Sequence, residues 1–133
     1  PMLDDRTGTT RKVPSHIGSL VWTPEANRFG WNSFLGVEPG SAAVPSAAVP
    51  ARTDNITGLP PTFISVGALD LFVDEDIDYA QRLLEAGVPT ELIVVPGAFH
   101  GFDVIAPDAR ITAQFTAAKL NALRRALGIP QPD

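Results

Sequence analysis

The sequence predicts an α/β fold built on parallel strands, and three observations carry that prediction. Residues 62–67 (TFISVG) are a short run rich in β-branched and aromatic side chains, the composition of a strand. Residues 91–95 (ELIVV) are nearly continuous in apolar residues, as suits a strand covered on both faces. Between them a helical stretch opens at Asp74-Glu75-Asp76 and is stopped by Gly87 and Pro89. A further helix follows, so the order is βαβα, and the handedness rule sets the two strands parallel. Two strands make an incomplete sheet. The remaining strands are expected from upstream in a longer gene product, from another chain or from a second copy of this one.

The elements divide the chain into an irregular, partly helical stretch at 1–58 and the βαβα unit at 59–133. The irregular stretch is expected to hold a single helix. Thr23 is its N-cap, Pro24 its first residue and Glu25 an early acid, and Gly36 follows Phe34-Leu35 as its stop. Residues 39–52 (PGSAAVPSAAVPAR) contain SAAVP twice in tandem and read as an extended surface connection with polyproline character. In the βαβα unit, Ile77, Ala80 and Leu84 form an apolar stripe on the first helix. The last helix begins near Pro107, buries Ile111, Phe115, Ala118 and Ala122, and closes at Gly128.

Composition narrows the function. The 133 residues are 44% hydrophobic, enough to bury a core. The net charge of −5, with no basic block, argues against nucleic acid and anionic membranes as partners. No apolar run approaches the roughly 20 residues of a membrane span. With no cysteine, thiolate metal sites and a cysteine nucleophile are excluded. The acidic triplet 74–76 is assigned to the helix dipole rather than to a metal, because successive helical residues point in different directions. Asn55-Ile56-Thr57 matches a glycosylation sequon, a short and weakly specific motif.

One of the two histidines, His100, lies in PGAFHGFD just past the second strand. Asp70 lies just past the first. Ligands in open α/β sheets bind beyond the carboxyl ends of the strands, and neighbouring strands sit about 5 Å apart. The two side chains are therefore expected to meet at one sheet edge, where a carboxylate would set the imidazole tautomer and stabilise its protonated form. Gly97 and Gly101 leave room for tight turns, and Phe99, Phe102 and Leu71 are candidates for an apolar wall against substrate. His16 reads as a surface residue and Asp103 as a solvated loop acid. Trp22, Phe29, Trp31 and Phe34 read as packing side chains, with a pocket lining as the alternative.

The stretch LPPTFISVGALDLFVDEDIDYAQRLLEAGVPTELIVVPGAFHGFD resembles the C-terminal part of the α/β-hydrolase serine esterases related to hormone-sensitive lipase. The likeness rests on Gly67 to Asp70, Asp74-Glu75, residues 83–92 and Gly97 to Phe102, in that order, and extends to PMLDDRT and residues 22–36. The resemblance implies carboxylic ester hydrolysis without a cofactor, with Asp70 as the triad acid and His100 as the base. It also implies a place for residues 1–58 near the substrate pocket.

Two departures stand out. Where the family carries Pro after the acid, this chain has Leu71-Phe72. Ser15, Ser19, Ser33, Ser41, Ser46 and Ser65 all lack the Gly-x-Ser-x-Gly frame of the family's nucleophile, and its His-Gly-Gly oxyanion segment is missing. The chain is thus expected to be inactive alone, and to self-associate or dock onto a portion that supplies those groups. The alternative is a non-catalytic binding or assembly module that keeps the pair as relics.

Overall fold

The computed structural model describes residues 1–130. Helix α1 spans Pro24–Leu35, strand β1 Thr62–Gly67, helix α2 Val73–Glu85, strand β2 Thr90–Val95, the single turn α3 Phe102–Ile105 and helix α4 Arg110–Leu127. The strands pair parallel, in register from Thr62 opposite Thr90 to Gly67 opposite Val95. Helix α2 is the crossover, and α4 packs against the sheet as well.

Local chemistry sets the helix ends. The Thr23 hydroxyl accepts from the Ala26 N–H, and Gly36 closes α1 in the left-handed region, its N–H on the Asn32 carbonyl. Gly87 (φ 77°) ends the turn after α2, where Val88 donates back to the Leu83 carbonyl. Gly128 closes α4 in the same left-handed conformation.

Two expectations need correction. The buried face of α2 is Val73, Asp76, Ala80 and Leu83; Ile77 and Leu84 are exposed. The stripe is rotated because Ala80 and Leu83 meet Ile64, Ile56 and Val88, the cluster between sheet and helix. The same rotation buries Glu75 and Asp76, so the dipole account fits only Asp74, which stays exposed. The second correction concerns residues 39–52, which are not a solvated strap. They form two 3₁₀ turns, Ser46–Ala48 and Pro50–Arg52, and the valine of each SAAVP copy, Val44 and Val49, is buried against Trp31. The repeat is a spacing device: two small-residue steps set two valines on one indole.

The predicted inner face of α4 lies on its covered side. Phe115 packs edge-on against Phe102, with ring centroids 5.0 Å apart, and Ile111 joins the Val95–Ala98–Phe102 cluster. Leu120, Leu123 and Leu127 remain exposed. The turn α3, read from sequence as loop, follows Gly101 at φ 70°.

Candidate active site

The loops after β1 and β2 are welded to one another. Ala68 N–H donates to the Val95 carbonyl, and Leu69 N–H to the Ala98 carbonyl, each at 2.9 Å. A Cβ at Gly67 would stand 2.3 Å from the Ala98 oxygen, so only glycine lets the loops approach this closely. This is the edge at which the chain presents its candidate residues.

Asp70 and His100 meet there. Asp70 Oδ2 lies 3.0 Å from His100 Nδ1, and Asp70 Oδ1 accepts from the Phe72 N–H at 3.1 Å. The Asp70 side chain is 10% exposed and that of His100 is 36% exposed. An ionised carboxylate only accepts, so Nδ1 carries the ring hydrogen and Nε2 keeps its lone pair for a proton from outside. The backbone donor at Oδ1 leaves Oδ2 to the imidazole and fixes the carboxylate's rotation.

The aromatic walls differ from the expected ones. Leu71 is fully buried with Val66 and Phe72, and Phe102 is buried beneath α4; Phe99 is half-buried on that same cluster. The rings in contact with His100 are Phe72, edge-on with centroids 5.5 Å apart, and Trp22, tilted by 37° at 5.7 Å. Phe72 was accessible to sequence reasoning, since the residue two after an Asp that binds its own backbone turns back over it. Trp22 carries no such signal; only the fold brings it here. Trp31 is core, whereas Phe29 and Phe34 are exposed. His16 is exposed, and Asp103 pairs with Lys119 at 2.9 Å.

The segment bearing Trp22 is bent to reach the site. Trp22 N–H donates to the Leu20 carbonyl at 2.8 Å across Val21, whose φ is +65°. This is a γ-turn at a β-branched residue, a conformation that costs on the order of 1–3 kcal/mol. Gly18 N–H donates to the Leu69 carbonyl, and a Cβ at Gly18 would stand 2.7 Å from Leu71 Cδ1. Residues 18–22 therefore lie directly over the loop that carries Asp70. Trp22 Nε1 donates to Asn27 Oδ1 at 3.2 Å, and buried Asn27 in turn donates to the Thr7 carbonyl.

Elsewhere, a cleft of about 720 Å³ lined by Phe63, Thr90, Ala122 and Leu123 sits at the opposite, amino ends of the strands. Among the described residues no group of three or more His, Asp or Glu side chains converges as a metal site would, and no helix is long and apolar enough to cross a membrane.

Parallel strands with an acid and an imidazole on adjacent carboxyl-end loops define a hydrolase-like α/β protein. A sequence profile of the α/β-hydrolase fold matches residues 1–104, and the chain belongs to that family. Relatives it matches include esterases and a lipase. It is 37% identical over 84 residues to carboxylesterase NlhH of Mycobacterium tuberculosis, a match covering 63% of this chain and 26% of that protein. Over 74 residues it is 36% identical to hormone-sensitive lipase of Bos taurus, covering 56% of this chain and 10% of the lipase. Among solved structures it superposes on a bacterial heroin esterase with TM-score 0.79 and 35% identity, covering 97% of this chain and 40% of that one. Esterase LipW of Mycobacterium marinum gives TM-score 0.76 and 36% identity, covering 94% and 38%. The chain thus spans about two fifths of the length of these solved esterases.

Proposed function

We propose that this chain supplies the acid and base of a carboxylic ester hydrolase. The 3.0 Å contact between Asp70 Oδ2 and His100 Nδ1 carries the reading. His100 Nε2 takes the proton of a serine hydroxyl as the oxygen attacks the ester carbonyl, and Asp70 stabilises the imidazolium that forms. The same Nε2–H then protonates the departing alkoxide, leaving an acyl-serine. Water, deprotonated by His100, attacks the acyl carbon; serine leaves with the returned proton and the acid is released. The substrate class is a small-molecule ester.

No serine of this chain stands in a Gly-x-Ser-x-Gly frame, so serine and oxyanion donors are supplied by a complementary polypeptide. Within the described residues the sheet has two strands, and an unpaired strand edge favours pairing with another chain. The reading therefore includes association, either with that complement or with a second copy, which light scattering after size exclusion measures.

The test is hydrolysis of a short-chain aryl ester. The chain alone is expected to be inactive, and activity is expected in a mixture with a polypeptide carrying the serine elbow, lost in His100→Ala. Activity of the chain alone that survives His100→Ala overturns the mechanism. A stable but inactive mixture selects the alternative, a non-catalytic binding or assembly module.

A further inference from the structure

We propose that Trp22 is a positioning residue for His100: its indole, seated against the imidazole, holds the ring in the plane that keeps Nδ1 on Asp70 and presents Nε2 outward. This rests on the reading of His100 as the base.

A single hydrogen bond fixes a distance and leaves the ring free to swing about the line from Nδ1 to Oδ2. His100 is also the more exposed partner of the pair, so its immediate neighbours decide its orientation. Phe72 touches it edge-on and blocks one direction of swing. Trp22, at 5.7 Å and 37°, covers the ring more nearly face to face. An indole face is also the best aromatic partner for a cation, so the contact strengthens when the imidazole is protonated.

The indole is itself held. Its N–H is tied to Asn27 Oδ1, and Asn27 is buried and bonded to the Thr7 carbonyl. Phe72 packs beside it as well, with ring centroids 6.5 Å apart. The chain enters Trp22 through the positive φ of Val21, an arrangement that persists only where surrounding contacts over-determine it. Those contacts converge on the His100 ring and the loop of Asp70.

The experiment is imidazole NMR on the intact chain, following the Nδ1–H proton of His100; exposed His16 is removed as His16→Asn to leave one signal. The wild-type signal is expected far downfield, shielded from exchange by Asp70. Trp22→Leu keeps apolar bulk without a π face, and is expected to accelerate exchange by about threefold to tenfold, the equivalent of one aromatic pair contact. Trp22→Phe keeps a ring without the tie to Asn27 and is expected to fall between. Trp22→Ala is expected to match or exceed Leu; if it fails to fold, Leu and Phe decide. Protection unchanged in folded Trp22→Leu overturns the proposal, because packing alone then suffices. Absence of the signal in the wild type, or its persistence in Asp70→Ala, which leaves no acceptor, overturns the Asp70–His100 pair itself, a separate failure.

Discussion

Residues 59–130 and residues 1–58 are held by different forces. The later segment is a periodic apolar assembly. Ile64, Ala80, Leu83 and Val88 fill the space between the sheet and α2, and Val95, Ala98 and Phe102 fill the side beneath α4. The N-terminal segment has one small apolar cluster of its own, Trp31 with Val44 and Val49; it lends Ile56 to the cluster under α2 and Met2, Val13, Ile17 and Trp22 to the one around Leu71, and buried polar ties hold much of the rest. Asp5 receives two Arg52 N–H groups and the Gly40 amide, and Glu75 of α2 receives the Leu3 and Asp4 amides. Apolar clusters lose stability in proportion to the atoms removed. A polar tie fails abruptly, because the surviving partner is left desolvated and unpaired.

Asp5→Ala tests the polar side most severely. Burial pushes the Asp5 carboxyl up, but the Arg52 and Gly40 hydrogen bonds outweigh it and hold the group below its usual value. The stability this contributes is present above the unfolded value of 3.8 and is lost as pH falls through the lower folded one. Removing the carboxylate strands Arg52 and is expected to destabilise the chain by about 4 kcal/mol near neutral pH. Urea unfolding measures this; a loss below about 1 kcal/mol means the tie is ornamental. On the apolar side, Leu83→Ala is expected to cost about 3 kcal/mol, whereas Leu84→Ala, at a side chain 58% exposed, stays within about 0.5 kcal/mol. The reverse order would restore the stripe that periodicity alone suggests.

This difference in forces also explains what was legible beforehand. The strands, the helix order and the ends of α1 were readable because caps, β-branched runs and glycine stops act locally. The meeting of Asp70 and His100 was readable because each lies on the loop that leaves a strand, so topology alone carries them to one edge. Val44 and Val49 were not readable: Ala, Pro and Ser around them look like linker, and only the indole of Trp31 makes them core. Glu75 and Asp76 were misread because their partners are in the first residues of the chain, beyond any helical period. Trp22 was out of reach for the same reason. Val49→Ala sharpens the point, with an expected loss of about 2 kcal/mol in thermal unfolding, against no change for Ala47→Ser two residues earlier on an exposed face. Equal effects would return residues 39–52 to the surface.

The subtlest prediction concerns the seam between the two segments. Burial pushes Glu75 up to about 7, despite the two backbone N–H groups on its Oε1. Burial likewise pushes Asp76 up to about 7, with the charges of Glu75 and Asp70 adding to the rise. In the unfolded chain these acids release their protons near 4.5 and 3.8. Between those values and about 7 the folded state binds more protons, so stability is full below the window and declines as pH rises through it. Thermal stability of the parent chain is therefore expected to fall from about pH 4 to about pH 7. Glu75→Gln keeps an oxygen for the Leu3 and Asp4 amides and removes the charge. It is expected to be close to neutral at the acid end and to recover about 1–2 kcal/mol at the alkaline end. A parent whose unfolding is flat across the window, or a variant that declines as steeply as the parent, means that the seam is held without a buried charge. Glu75 would then be one more hydrogen-bond acceptor, and the contrast between the two segments would narrow to geometry.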